Sequence, residues 1–178
     1  METEFKLFDP KISTMDELPD KPGNYFIVLR VNCQLPSIGI TPIYHKWNYE
    51  NVKYDIIYTG ISNQSLRVRD YKQHFTENNA GRSTLRKSLG SMMGFFKIPR
   101  DKNNPTNGKT KFSMQDEEIL SAWMKDNLLL FYKPCNSKDE IERNEKEFIH
   151  DYNPPLNLQG NENGENREFR EKIKMLRR

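Results

Sequence analysis

Two short runs constrain this chain more than anything else in it: Gly23-Asn24-Tyr25-Phe26-Ile27-Val28-Leu29 and Tyr54-Asp55-Ile56-Ile57-Tyr58-Thr59-Gly60. Both are dense in β-branched and aromatic residues, the composition of a half-buried strand. Alternation along the second run places Tyr54, Ile56 and Tyr58 on one face and Asp55, Ile57 and Thr59 on the other. Gly60 closes the run, a polar stretch (Ser62–Ser65) follows, and a basic helix comes next. A tyrosine at the last strand position, beside a glycine and facing arginines, reads in two ways. It is a core-strand tyrosine, or it is a hydroxyl at the rim of a sheet with cations nearby.

A chain of 178 residues suits one domain with a sizeable core. Mean hydropathy is −0.90, and no apolar run approaches the roughly 18–20 residues of a membrane span. The acidic opening Met1–Lys6 lacks the basic-then-apolar order of a secretion leader. Cys33 and Cys135 stand at no motif spacing, so neither a disulfide framework nor a zinc site is expected, and a reducing cytoplasm is the default. The net charge of +3 conceals an asymmetry: residues 61–111 carry eleven Lys/Arg against three acids, which leaves the rest net negative. Such a segment suits a polyanion, whose condensed counterions are released on binding; the alternative is a solvated charged face.

Residues 1–22 read as a lead-in punctuated by Asp9-Pro10, Leu18-Pro19 and Pro22-Gly23. Between the two strands, residues 32–53 form a polar insert with Tyr44, Trp47 and Tyr49, either packing it onto the sheet or contacting bases. A helix is expected over 65–75 with Val68, Tyr71 and Phe75 as its apolar stripe. Ser83 caps the next, with Leu85, Leu89, Met92 and Met93 inward and Arg82, Arg86 and Lys87 outward. Hydroxyls beside cations at a helix N-terminus suit a phosphate. Residues 99–110 read as a turn-rich basic loop. Ser113 opens a third helix with Ile119, Leu120, Trp123 and Met124 inward, and residues 128–132 read as a strand inside the sheet. Ser137 and Glu140 form a capping box. The helix they open has Ile141, Phe148, Ile149 and Tyr152 as its stripe, with Glu145 in the middle. A carboxylate there needs a cation, an arginine or a metal. Asn153-Pro154-Pro155-Leu156-Asn157 then terminates the helix, and Phe169, Ile173 and Leu176 lie at helical spacing in the tail. No P-loop, His/Cys metal cluster or Gly-x-Ser-x-Gly turn is present, and His45, His74 and His150 are scattered.

In order and spacing these pieces resemble the GIY-YIG nuclease family. Gly23-Asn24-Tyr25 and Tyr58-Thr59-Gly60 stand where its two tripeptides stand, and Leu66-Arg67-Val68-Arg69 matches its Leu-x-x-Arg. Glu145 with Phe148-Ile149 and Pro154-Pro155-Leu156-Asn157 matches its glutamate and closing asparagine. The resemblance implies an α+β fold: a small antiparallel three-stranded sheet flanked by helices, over residues 1–160, with an additional helical tail at 161–178. It implies the catalytic set Tyr25, Tyr58, Arg69, Glu145, His74 and Asn157. The insert at 32–53 is longer than the family's usual hairpin. Arg69 and His74 are five apart, which on an α-helix puts them on different faces. Arg67, seven before His74, shares its stripe and stands as the alternative arginine.

The resemblance further implies phosphodiester hydrolysis in DNA, double-stranded or branched, with one Mg²⁺ or Mn²⁺ per site on Glu145. Arg69 would meet the charge developing at phosphorus. Tyr58 would be general base, which at an unperturbed pKa near 10 asks for nearby cations, and Tyr25 its partner. Asn157 would hold local structure. Arg67, Lys72, Arg82, Ser83, Thr84, Arg86 and Lys87 would grip the nucleic acid. The competing readings are a non-catalytic nucleic-acid-binding module with the same fold, and a protein-interaction domain using the C-terminal helix.

Overall fold

The structure is a computed structural model and describes residues 5–76 and 82–178; the opening Met1–Glu4 and Glu77, one of the three acids counted above, lie outside the described residues. Among the described residues seven strands form: β1 Lys6–Phe8, β2 Gly23–Leu29, β3 Lys46–Tyr49, β4 Val52–Ser62, β5 Ile98–Pro99, β6 Thr110–Lys111 and β7 Leu128–Pro134. Five make one antiparallel sheet in the order β1-β7-β2-β4-β3, and β5 pairs with β6 as a separate ribbon at the ends of the basic 99–110 loop.

The expected three-stranded sheet is therefore corrected to five. Its centre is the expected trio β7, β2 and β4, and each edge gains a strand. At only three residues, β1 is too short to show alternation, and it adds to the open side of β7 through Leu7 opposite Phe131. The other edge strand, β3, comes from inside the 32–53 insert. Glu50 and Asn51, with φ of 46° and 65°, make the two-residue turn that folds β3 back on β4. The insert's aromatics pack: Trp47 lies over Phe26, and Tyr49 over Phe131.

A short 3₁₀ turn (Met15–Glu17) precedes β2, a π-helix spans Arg67–Thr76, and four α-helices follow: α1 Thr84–Met92, α2 Met114–Asn127, α3 Lys138–Tyr152 and α4 Arg167–Leu176. Ser83, Ser113 and Ser137 each accept a hydrogen bond from the backbone amide three residues on, so all three expected caps form. No helix among the described residues is long and apolar enough to cross a membrane.

The sheet is sandwiched. One face, bearing Tyr25, Ile27, Leu29, Leu130 and Tyr132, is covered by the π-helix, α1, α2 and α4. The other, bearing Phe26, Val28, Ile56 and Phe131, is covered by α3 through Phe148 and Tyr152, with Phe5 and Trp47. Strict period-two alternation in β2 and β7 produces this division. Phe169 and Ile173 of α4 are buried in the first cluster.

Two helix faces differ from expectation. Val68 and Ile119 point outward, while Asp70, His74 and Glu117 are buried. The reason at Glu117 is an ion pair: its carboxylate accepts from Arg86 Nη2 at 2.6 Å and from Nε at 3.0 Å. Arg86 also donates to the carbonyl of His74 and to Ser121 Oγ, tying α1 to α2 and the π-helix.

Candidate active site

The site begins at an irregularity in β4. Ile27 opposes Tyr58 but Val28 opposes Ile56, so Ile57 is an extra residue, a β-bulge. The expected alternation breaks there. Ile56 stays on the α3 face, whereas Ile57 and Tyr58 both fall on the opposite face, with Tyr25. The bulge thus aims the second tyrosine at the first, and their ring centroids lie 6.3 Å apart. Gly60 sits directly opposite Tyr25 in the ladder, and a Cβ at Gly60 would come within 2.4 Å of the Tyr25 hydroxyl. Gly23 has an equivalent reason, because a Cβ there would meet the Lys133 carbonyl oxygen at 2.2 Å.

The π-helix supplies the next two groups. Its i→i+5 repeat returns the chain to the same side after five residues. Arg69 and His74, expected on different faces, therefore both reach Tyr25, and that expectation is corrected. His74 is buried, with Nε2 hydrogen-bonded to the Tyr25 hydroxyl at 2.8 Å and Nδ1 to Ser83 Oγ at 2.8 Å. Burial, then the charges of Arg69 and Arg86, hold its pKa well below the usual histidine value, so the imidazole is neutral. The guanidinium of Arg69 is anchored by Gln73, to whose Oε1 its Nη1 donates at 2.7 Å, and its charge and N–H groups favour the ionised form of both phenols. Burial outweighs that help: Tyr25 and Tyr58 are both pushed above the ordinary tyrosine pKa. The nearby cation thus does not make Tyr58 a ready base. Arg67, the alternative arginine, points elsewhere, its Nε donating to the Leu18 carbonyl at 2.9 Å.

The carboxylate arrives from the opposite side of the sheet, around the edge of β4. Asn24 pegs the start of α3, donating from Nδ2 to the Ile141 carbonyl at 2.9 Å and accepting from Asn144 Nδ2 at 3.1 Å. Four residues beyond Ile141, Glu145 faces a cleft of about 840 Å³ whose walls include Tyr58, Thr84, Ile149 and Asn157. Its carboxylate takes part in no hydrogen bond or ion pair among the described residues. Burial, then the neighbouring Glu142, raise its pKa, and Arg69 opposes them. Asn157 does structural work: its Oδ1 accepts from the Thr59 amide and its Nδ2 donates to the Thr59 carbonyl, both at 2.9 Å. It completes the edge of β4 beyond the end of β3, next to Tyr58.

Compared with known families, residues 23–178 match the model of the GIY-YIG catalytic domain. The chain belongs to the GIY-YIG family. No curated protein and no solved structure matches it. GIY-YIG domains are endonucleases, and in this one Tyr25, Tyr58, Arg69 and His74 converge from β2, β4 and the π-helix, and Tyr58 shares a cleft with Glu145.

GIY-YIG nucleases are in general divalent-metal dependent. The donors here fit that use. Glu145 offers hard oxygens without an internal partner, at an open cleft able to admit water and phosphate, as Mg²⁺ with one or two carboxylates requires. No group of three His, Cys, Asp or Glu gathers among the described residues, so a closed all-protein cage is not what this site offers.

The residues expected to grip nucleic acid divide into two sets. Arg82 is exposed, Lys72, Thr84 and Lys87 are partly so, and Thr84 borders the cleft. Arg86 and Ser83 are corrected: both are buried, Arg86 in its pair with Glu117 and Ser83 capping α1 and holding His74, so neither presents a surface to a phosphate. Sequence reading missed Asn24 and Ser83 as positioning groups. The only signal for Ser83 was its N-cap place, and Asn24 carried none.

Proposed function

We propose that this chain is a metal-dependent endonuclease hydrolysing phosphodiester bonds of DNA. One observation carries the reading: Glu145 and Tyr58, from opposite sides of the sheet, line one cleft, and the Arg69 charge reaches both. A divalent cation on Glu145 would neutralise phosphoryl oxygens and stabilise the leaving oxygen. Arg69, fixed by Gln73, holds the phosphoryl group and meets the charge that develops on it. Tyr58 takes a proton from the attacking water. Burial keeps the phenol protonated at rest, so the base is the phenolate form that the Arg69 charge and N–H groups favour, with the hydrogen-bonded Tyr25–His74 pair packed beside it. Ser83 holds the imidazole from its other nitrogen. Asn157 keeps the Tyr58 end of β4 in register.

The protonated resting state of Tyr58 is also what a non-catalytic binding module would show, so the decisive test is turnover. Supercoiled plasmid incubated with the protein is expected to be nicked or linearised with Mg²⁺ or Mn²⁺ and left intact with EDTA. Salt-sensitive binding without any nicking in either metal would establish the non-catalytic reading instead.

A further inference from the structure

The basic segment at 61–111 is joined in space by the far end of the chain. Thr84, on the wall of the catalytic cleft, also borders two shallower depressions beyond it. One, of about 210 Å³, lies among Arg82, Lys87, Lys109 and Arg177. The other, of about 300 Å³, lies among Lys87, Leu158, Lys174 and Arg177. Lys87 and Arg177 are common to both, and Thr84 to all three, so the hollows adjoin one another beyond Tyr58 and Glu145.

The arrangement is built. Phe169 and Ile173 sink α4 into the core that also holds Leu85 and Leu89 of α1, which brings the last turn of α4 beside Lys87. Lys97 donates to the Leu176 carbonyl and fixes that end. Four segments then deliver cations to one place: the approach to α1 (Arg82), α1 itself (Lys87), the loop between β5 and β6 (Lys109) and the end of α4 (Arg177). A helix macrodipole favours a cation at the end of α4, but it gives no reason for the other three to gather there. The acid at this end of α4, Glu171, is held by Lys174 at 2.7 Å. Neither Lys87 nor Arg177 has a side-chain hydrogen bond or ion pair among the described residues. They are close enough to oppose each other: burial, then Arg177 and Lys97, push the Lys87 ammonium down. Unpartnered like charges converging on a groove are relieved by a polyanion lying along it.

We propose that Arg82, Lys87, Lys109 and Arg177 form a phosphate track, completed by the C-terminal helix, that holds the backbone of the nucleic acid next to the phosphate in the cleft. This rests on the nuclease reading and adds where the substrate strand runs and that α4 is part of its binding surface.

The test uses the full chain carrying Glu145→Gln, so that bound DNA survives, and a fluorescently labelled 20-base-pair duplex followed by anisotropy over a NaCl series without divalent metal. Adding Lys87→Gln, Lys109→Gln and Arg177→Gln together is expected to weaken binding at least tenfold and to flatten the log–log salt slope by about 2 to 3, near 0.9 for each lost phosphate contact. A same-charge control at remote positions, Lys6→Gln, Lys53→Gln and Lys125→Gln, should stay within about threefold of the parent. The charge-conserving set Lys87→Arg, Lys109→Arg and Arg177→Lys should restore affinity, which excludes misfolding as the cause. If the track variant binds like the control while the protein with Glu145 intact still cleaves, the track is wrong and the nuclease reading stands. If the parent binds no DNA at all, both fall.

Discussion

Two carboxylic acids, one half-buried and one fully buried, have raised pKa values in different surroundings. Glu145 opens onto the cleft, and its raised pKa comes from burial and then Glu142. Its carboxylate therefore takes up a proton at a higher pH than the ordinary 4.5. As pH falls, cleavage should be lost from above that value, and at fixed Mg²⁺ the Glu142→Gln variant should move the acid limb of the rate profile downward, because one repelling charge is gone. An unmoved limb would detach the profile from Glu145. His74, held neutral, should add no inflection near its usual 6.5. Asp70 is fully buried beside Arg69, and neither carboxylate oxygen has a hydrogen-bond partner among the described residues. Burial raises its pKa well above 3.8 against the pull of Arg69. Below 3.8 the folded and unfolded chains are both protonated there and Asp70 costs nothing. Above it the unfolded chain releases a proton that the folded one keeps, so the fold loses stability as pH rises toward the folded-state value. Asp70→Asn removes that cost and should stabilise the protein at pH 7 by about 1–3 kcal/mol, or very roughly 2–4 °C in Tm per kcal/mol, with the gain vanishing below pH 4. Thermal melts at the two pH values would show it; equal Tm differences at both would contradict it.

At the scale of elements, two departures from regular geometry assemble the site. The bulge at Ile57 turns Tyr58 toward Tyr25, and the π-helix brings Arg69 and His74 to one side. Neither was legible in the sequence, for a physical reason. Register is a property of two strands paired, and the run Ile56-Ile57-Tyr58 is equally apolar with or without a slip. A π-turn is indistinguishable from an α-turn until the residues that need burying, here Asp70, His74 and Phe75, are known. What was legible was local. Ser83, Ser113 and Ser137 announce their helices because a cap needs only a hydroxyl and the next three residues. Glu145 in an apolar stripe likewise declared itself without a partner in view. Arg86 shows the limit of that reasoning: a basic residue in a basic segment looked like surface, and only Glu117, 31 positions away, explains its burial. Arg86→Ala should cost about 3–5 kcal/mol, since it strands a buried carboxylate. Urea unfolding checks this, and a loss below about 1 kcal/mol would mean the pair is not holding α1, α2 and the π-helix together.

Across the whole molecule, the sheet serves as a partition, with the candidate site at the stretch of β4 that β3 does not pair. The phenols, guanidinium and imidazole come from the face packed by the π-helix, and the carboxylate from α3 on the other. The segment 153–157 passes around the edge of β4, closing it with Asn157 and tying the bulge through the Leu156 amide to the Ile57 carbonyl at 3.0 Å. Long-range order of this kind explains how signature residues scattered from position 23 to 157 are brought together. In the proposed function Glu145 acts in chemistry and not in holding the nucleic acid. Single-turnover cleavage of a labelled duplex, with enzyme in excess and Mg²⁺ present, isolates that step. Glu145→Ala should lower the rate at least about a thousandfold, some 4 kcal/mol of barrier, while the affinity for the duplex without metal stays within about threefold. Cleavage by Glu145→Ala at the wild-type rate would contradict the account.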